Sequence, residues 1–244
     1  MEALYLDLLK RCVARTIFHD KAFHPPDITT QHPYSQELRN DGRDWPVEAV
    51  TMVGVKRLEN LQNLLSLATR SYGIPGDVVE CGVWRGGASI FMRGVLLALG
   101  QADRRIWLYD SFQGLPKPSS EGDIDLTGLS SYIGVPLEQV QENFREFGLL
   151  SEQVKFVPGW FKDTLPTSEV EKIVLLRLDG DMYESTKNTL DHLYHKVSLG
   201  GYVVVDDYGC LPVCKRAVDE FRQLRKISSP IIPIDWTGVY WQVR

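Results

Sequence analysis

Two pairs of aspartates in the last third of the chain each follow a short apolar run. Asp179-Gly180-Asp181 comes after Leu175-Leu176-Arg177-Leu178, and Asp206-Asp207 comes after Val203-Val204-Val205. If the two runs are adjacent buried strands, the four carboxylates meet at one sheet edge and repel one another unless a cation is bound. No histidine or cysteine is next to them, which favours an oxygen-preferring ion such as Mg²⁺ over zinc. The alternative is that all four are solvated turn residues.

A glycine-rich turn earlier in the chain is typical of a nucleoside-binding site. In the segment Val78–Gly87, Gly82 and two later glycines allow a tight turn and a close approach to the backbone before a helix begins. The spacing is not the G-x-G-x-x-G of dinucleotide enzymes, so no pyrophosphate site is predicted. Glycines also occur wherever a strand packs closely on its helix, and this structural explanation stays open.

A second nucleoside-contacting carboxylate is predicted at Asp110, which ends an apolar run 30 residues after Glu80. The second strand of a nucleotide-binding unit ends at such a position, where a carboxylate can accept hydrogen bonds from both ribose hydroxyls. An exposed strand-end aspartate is the alternative. Ser111 would lie beside the adenine, and Trp160 and Phe161 offer rings for it, although Trp160 is equally typical of a core.

A cation beside a nucleoside site would define the chemistry. An alcohol is a poor nucleophile near neutral pH, and coordination to Mg²⁺ lowers its pKa and fixes its oxygen in line with a sulfonium methyl group. Asp181 or a neighbouring carboxylate would then accept the proton.

These residues need a framework that brings distant parts of the chain to one edge. From Val78 onward, short apolar runs alternate with amphipathic segments, which is the pattern of βα units with strands buried on both faces. We predict an α/β, Rossmann-like fold: a seven-stranded, mostly parallel sheet with helices on both faces, formed by residues 51–244 after a helical extension over residues 1–50. Ligands of such a sheet lie beyond the carboxyl ends of its strands.

The N-terminal extension begins with an amphipathic helix. Leu6, Leu9, Val13 and Ile17 recur at helical spacing, so this helix must pack against something as a lid or an interface. The stretch from Phe23 to Pro46 contains four prolines and a glycine, which argues against a continuous helix there.

The stretch from Gly114 to Pro136 is long for a connection within a compact domain, and it carries Glu121, Asp123 and Asp125. Loops of this length often close over an active site. A mobile, solvated insert is the alternative.

Composition and charge exclude several classes of function. The chain has 244 residues, 43% of them hydrophobic, and a net charge of -5. This length can bury one α/β core, and the lack of a basic excess argues against a nucleic-acid partner. The N-terminus has no basic region followed by an apolar stretch, and no run approaches the roughly 18 apolar residues of a membrane helix. We expect a cytoplasmic protein with reduced cysteines and a small-molecule partner.

Taken together, these motifs resemble those of the macrocin O-methyltransferase family, bacterial enzymes that methylate deoxysugar hydroxyls on macrolides and aminocoumarins. The resemblance extends over nearly the whole chain. It depends on five motifs in this order and spacing: Glu80–Gly87, Asp110–Gly114, Pro158–Thr164, Leu178–Asp181 and Asp206–Tyr208. It implies a class I methyltransferase fold that uses S-adenosylmethionine and Mg²⁺.

The resemblance also implies a role for each site residue. Asp179, Asp206 and Asp207 would hold Mg²⁺, and Asp181 would be the general base, which makes Asp179 and Asp181 the predicted catalytic residues. The predicted donor-binding residues are Met52, Glu80, Gly82, Trp84, Ser89, Asp110, Ser111, Trp160 and Phe161. Known members assemble through N-terminal helices, so a homodimer or larger homo-oligomer is expected. The chain departs from the family pattern in its first 50 residues and in residues 114–136, which leaves the acceptor, a glycosylated or diol-bearing natural product, unassigned.

Other functions fit parts of the pattern. A catechol or phenol also presents an oxygen nucleophile to Mg²⁺. A metal-dependent glycosyltransferase uses an Asp-x-Asp pair such as Asp179-Gly180-Asp181, although the glycine turn and Asp110 argue against it. A haloacid-type phosphatase is disfavoured because Tyr183 stands where that motif has threonine or valine. A non-catalytic donor-binding module of the same fold is the last alternative.

Overall fold

The computed structural model consists of a central sheet, the helices that cover it and a small N-terminal unit. It describes residues 1–118, 123, 125 and 127–244. The helices are α1 (Glu2–Val13), α2 (Gln36–Asp41), α3 (Gly54–Leu65), α4 (Gly87–Ala98), α5 (Ser130–Ile133), α6 (Leu137–Glu146), α7 (Phe161–Thr164), α8 (Tyr183–Leu193) and α9 (Pro212–Leu224). The strands are β1 (Ala22–His24), β2 (Asp27–His32), β3 (Trp45–Pro46), β4 (Asp77–Cys81), β5 (Ile106–Asp110), β6 (Val154–Pro158), β7 (Ile173–Leu178), β8 (Val197–Val205), β9 (Ile232–Pro233) and β10 (Val239–Gln242). Glu121 of the predicted lid lies outside the described residues.

The main sheet has seven strands in the order β6-β5-β4-β7-β8-β10-β9. The strands from β4 to β8 pair in parallel, whereas β10 runs antiparallel to both β8 and β9. The prediction of a seven-stranded, mostly parallel sheet is therefore confirmed. The chain builds the sheet outward from β4 to β6 and then returns to the other side of β4 with β7. Ligands of open α/β sheets bind at this reversal, beyond the carboxyl ends of β4 and β7.

Strand residues alternate between two hydrophobic clusters, one on each face of the sheet. Val78 and Val204 belong to the cluster that includes α3 and α4, whereas Val79 and Val203 belong to the cluster with α8 and α9. All six residues of β7 are buried, as expected for a strand covered on both faces. One of them, Arg177, is charged and therefore needs buried partners.

The N-terminal segment is more than a helical extension. The predicted face of α1, with Leu6, Leu9 and Val13, is buried and shares the hydrophobic cluster of α3 and α4, but the helix ends at Val13, so the prediction that Ile17 continues this face is wrong. Beyond it, β1, β2 and β3 form a three-stranded antiparallel sheet. The sequence pattern did not predict this sheet, because its strands are short and β2 is largely polar. The buried Arg39 holds the unit together through a 2.9 Å contact with Asp44 and through backbone carbonyls.

The described ranges contain no helix that combines the length and the apolar character required to cross a bilayer.

Candidate active site

A cavity of about 810 Å³ is lined by residues at the carboxyl ends of β4, β5, β7 and β8. Its lining includes these predicted site residues: Met52, Glu80, Gly82, Trp84, Asp110, Ser111, Trp160, Phe161, Asp179, Asp181, Asp206 and Asp207. Ser89 is the exception among the predicted residues, because it is fully buried behind the lining and its hydroxyl donates a hydrogen bond to Glu80. The structure thus brings the predicted donor-binding and acidic residues to one cavity, with Ser89 acting through Glu80.

The turn after β4 lies directly against the end of β7. Gly82 has a φ of 93°, and a Cβ atom there would lie 1.7 Å from the backbone oxygen of Asp179. Only glycine fits such a close approach. Trp84 has a φ of 49°, a left-handed conformation that is strained for a bulky residue.

Asp110 has a structural role in addition to the predicted one. Its Oδ2 accepts hydrogen bonds from the backbone N–H of Val83 at 2.7 Å and of Trp84 at 3.4 Å, and its Oδ1 accepts one from Phe112 at 2.8 Å. Burial raises the pKa of this carboxyl above its ordinary value despite these backbone donors. Asp110 therefore joins β5 to the turn after β4, and its contact with a ribose stays a prediction.

The strained Trp84 is held by the described end of the 114–136 stretch. Its indole N–H donates to the backbone oxygen of Tyr132 at 2.9 Å. The Tyr132 ring stacks on Trp45 with centroids 4.9 Å apart, and its hydroxyl donates to the Pro46 carbonyl at 2.7 Å. Ile133, next in the chain, lines the cavity. This segment therefore connects the turn after β4 with the N-terminal sheet.

Three carboxylates, from Asp179, Asp181 and Asp207, converge with oxygens within 4.8 Å of one another. This acidic trio differs from the predicted metal set, because Asp206 pairs with two arginines and Asp181 takes the third place. Asp181 has a φ of 56°, a left-handed conformation that aspartate tolerates better than most residues. Oδ2 of Asp207 is buried and has no hydrogen-bond partner within the described ranges. A buried, unpartnered oxygen beside two further carboxylates is the arrangement expected for a cation site.

Burial and mutual repulsion favour protonation of the acidic trio when no cation is bound. Burial, together with the charges of Asp179 and Asp206, raises the pKa of Asp181 to about 7. Burial and the neighbouring aspartates raise the pKa of Asp207 well above its ordinary value. Burial also raises the pKa of Asp206, but its two arginine partners lower it more, so the net pKa is below the ordinary value. Within the acidic trio only Asp179 has a cationic partner among the described residues, Arg177, and the oxygen-only ligands of the trio fit a hard divalent cation.

The two arginines of the site were not predicted from the sequence. Arg177 is 1% exposed and donates to Glu80, to Asp179 at 2.7 Å and to Asp206 at 2.6 Å. Arg57 of α3 donates to the second carboxylate oxygen of Asp206, Oδ2. A charged residue inside an apolar strand signals a buried ion pair, so Arg177 could have been found. Arg57 carries no such signal, because its partner is 149 residues away in the sequence.

Comparison with known proteins identifies the family. The sequence profile described as macrocin-O-methyltransferase (TylF) matches residues 2–243. The chain belongs to the macrocin O-methyltransferase family. It is an O-methyltransferase, as the motifs predicted.

Relatives of this methyltransferase cover nearly its whole length. The demethyldecarbamoylnovobiocin O-methyltransferase of Streptomyces niveus is 49% identical over 245 residues, which cover 98% of this chain and 93% of the relative. The 8-demethyl-8-(2,3-dimethoxy-alpha-L-rhamnosyl)-tetracenomycin-C 4'-O-methyltransferase of Streptomyces olivaceus is 45% identical over 244 residues, which cover 98% and 92%. The solved structure of the O-methyltransferase NovP matches with a TM-score of 0.94 at 49% identity and covers 100% of this chain and 99% of that chain. The predicted class I methyltransferase fold is confirmed.

Another part of the wall of the methyltransferase cavity comes from segments to which the sequence pattern assigned no role. Pro25 and Pro26 in the β1–β2 turn, Trp45 of β3 and Trp236 in the β9–β10 loop form this apolar rim. Trp236 is 40% exposed, and its indole N–H donates to the Asp41 carbonyl at 2.8 Å. These residues lie far apart in the sequence and share no periodic pattern, so only the folded chain reveals the apolar rim.

Proposed function

We propose that this methyltransferase transfers the methyl group of S-adenosylmethionine to a sugar hydroxyl of a natural product, with Mg²⁺ bound by Asp179 and Asp207 of the acidic trio. The observation that carries the proposal is the convergence of the turn after β4 and the acidic trio in one cavity. Family membership supports the donor and the reaction. The acceptor class is supported by the two relatives, which are named for natural-product acceptors, one of them with a rhamnosyl group.

We assign the methyl donor to the side of the cavity formed by the turn after β4 and the end of β5. The proposed donor contacts are Met52, Glu80, Gly82, Trp84, Asp110, Ser111, Trp160 and Phe161, all of which line the cavity. The missing side chain at Gly82 lets the turn after β4 lie against the backbone of Asp179, which brings the donor side next to the acidic trio, and the rings of Trp160 and Phe161 suit a planar base. Ser89 is proposed to fix Glu80 and not to touch the donor.

Asp179 and Asp207 are the proposed cation ligands, since both belong to the predicted set and to the observed acidic trio. The third ligand is either Asp181, which already lies in the acidic trio, or Asp206, which would have to exchange an arginine partner for the cation. When bound, Mg²⁺ supplies a lowered pKa and a fixed orientation for a substrate hydroxyl.

Asp181 is the proposed proton acceptor. Its carboxylate lies within 4.8 Å of those of Asp179 and Asp207, so it is close enough to accept a proton from a hydroxyl bound beside them. Asp123, a described residue of the predicted lid, accepts a hydrogen bond at its Oδ1 from the backbone N–H of Tyr183 at 3.0 Å. This contact, two residues from Asp181, supports the interpretation of the 114–136 stretch as a lid that excludes water from the reacting groups.

Family membership removes the glycosyltransferase and phosphatase alternatives, because both would require a different reaction at Asp179-Gly180-Asp181. The acceptor is tested by methyl transfer from labelled S-adenosylmethionine to a panel of glycosylated natural products and catechols, with Mg²⁺ or with a chelator. We expect methylation of a sugar hydroxyl, located by NMR of the product, and loss of turnover in chelator that added Mg²⁺ restores. Methylation confined to catechols would replace the acceptor class, and full turnover in chelator would reject the cation.

We also propose that the enzyme is a homodimer or larger homo-oligomer assembled through α1. The solvent-facing side of α1 exposes Leu4 (72%) and Leu8 (53%), which lie one helical turn apart. Such a stripe on a helix that is already packed on its other face favours contact with another apolar surface. Sedimentation velocity should show an oligomer for the wild type and a smaller species for the double variant Leu4→Glu/Leu8→Glu. A monomeric wild type would reject this assembly.

A further inference from the structure

Arg177 lies between the two halves of the proposed site. In the sheet it pairs with Glu80 of β4 on one side and with Val204 of β8 on the other. Nη1 of its guanidinium donates to Glu80, whereas Nη2 donates to Asp179 at 2.7 Å and to Asp206 at 2.6 Å. One rigid, planar group therefore contacts a proposed donor-binding carboxylate and two carboxylates of the proposed cation site.

We propose that Arg177 is a positioning residue that couples occupancy of the methyl-donor site to occupancy of the cation site. This inference rests on the proposed function, since it takes the methyl donor and Mg²⁺ as the two ligands. In the part of the chain that the structure describes, Arg177 is the one cationic side chain that Glu80 contacts. Glu80 has one other side-chain partner there, Ser89.

Coupling follows because one guanidinium is shared among carboxylates on both sides. Three carboxylates of the cavity, those of Glu80, Asp179 and Asp206, share the single guanidinium of Arg177 and therefore compete for its positive charge. A cation at the acidic trio would weaken the attraction of Asp179 for Arg177. The guanidinium would then be more fully engaged with Glu80 and would hold that carboxylate in place for the donor. Bound cation would thus raise the affinity for the donor by some factor. By thermodynamic linkage, bound donor raises the affinity for the cation by the same factor.

Arg57 provides a matched control. It is 6% exposed and, like Arg177, donates to Asp206. Its other partners are Asp235 at 2.9 Å and the Gly42 carbonyl at 3.3 Å, so it has no contact with the donor side through Glu80. A change at Arg57 should alter the affinity for the cation and leave the coupling in place.

The test is a thermodynamic cycle of S-adenosylhomocysteine and Mn²⁺ binding to the full-length protein, measured by calorimetry and by EPR of the metal. For the wild type we expect each ligand to tighten binding of the other by the same factor, at least about fivefold. Arg177→Lys keeps the charge but loses the two-pronged contact, so the coupling factor should fall to about one. Glu80→Gln should have the same effect on the coupling, whereas Arg57→Lys should retain the wild-type factor.

Failure of the proposed function and failure of this inference give different results. If the wild type binds neither ligand, the proposed function is rejected. If both ligands bind independently in the wild type, if Arg177→Lys retains the coupling, or if Arg57→Lys abolishes it, the inference is overturned. If circular dichroism shows that Arg177→Lys does not fold, Glu80→Gln decides, because an unchanged coupling factor in that variant overturns the role of Arg177.

Discussion

The two halves of the cavity are built from different kinds of structure. On the chemical half, Glu80, Asp110, Asp179 and Asp207 lie at or just after the ends of β4, β5, β7 and β8, which pair residue by residue in one sheet. The apolar rim comes instead from a hairpin turn, a two-residue strand and a loop. Strand ends hold reacting groups in a narrow geometry, whereas loops can change without disturbing the core. Substitutions in the chemical half should therefore change turnover, and those in the apolar rim should change acceptor affinity.

The largest effect is expected from a substitution at Asp207. Full turnover in that variant would contradict the assignment of the chemistry to the strand-end half of the cavity. Asp207→Asn keeps the size of the side chain but removes a charge from the acidic trio. We expect kcat to fall at least about 1000-fold, because a bound cation contributes several kcal/mol to such a reaction. Binding of S-adenosylhomocysteine, measured by calorimetry without Mg²⁺, should not change. Asp191→Asn on α8, which removes a carboxylate paired with Lys187, is the matched control and should retain wild-type turnover.

The roles of Asp181 and Asp206 can be separated by the same substitution at each position. If Asp181 is the base, Asp181→Asn lowers kcat about 100-fold or more while Mn²⁺ still binds. Asp206→Asn should instead weaken Mn²⁺ binding, as measured by EPR. The opposite pattern, with Mn²⁺ binding lost in Asp181→Asn and kept in Asp206→Asn, would make the acidic trio itself the ligand set.

A smaller effect is expected at the apolar rim. Trp236→Ala should raise KM for the acceptor about tenfold, because it removes one aromatic contact worth roughly 1.5 kcal/mol. Steady-state kinetics should show an unchanged kcat, and Trp236→Phe should recover most of the affinity. A fall in kcat at constant KM in Trp236→Ala would show that the apolar rim also contributes to the methyl-transfer step.

The smallest effect concerns stability. The pKa of Asp181 is about 7 in the folded protein against an ordinary value of 3.8, so the folded state binds this proton more tightly than the unfolded chain. The free energy of unfolding from this group therefore falls as pH rises from 3.8 to about 7 in the metal-free protein. Saturating Mg²⁺ should raise Tm by roughly 5–10 °C at pH 8 and by less at pH 5, where protons occupy the carboxyls. Equal Mg²⁺ effects in scanning fluorimetry at both pH values would contradict a cation site at the acidic trio.

The sheet and the residues at its edge could be predicted without a structure. Apolar runs before Glu80, Asp110, Asp179 and Asp206 predicted β4, β5, β7 and β8, because strands covered on both faces need continuous apolar side chains. The helical periodicity of α1 likewise predicted its buried face. The N-terminal sheet was missed, since its short polar strands are stabilised by contacts such as the buried Arg39 and not by a periodic pattern.

Only the tertiary structure decided which aspartates meet and what surrounds them. Asp206 and Asp207 are adjacent in the sequence and directly follow β8, yet one pairs with Arg57 while the other joins the acidic trio. Trp45 and Trp236 share the apolar rim although they come from opposite ends of the chain. Local periodicity determines whether a residue is buried, whereas its partners depend on how whole elements pack, and that information is spread over the entire chain.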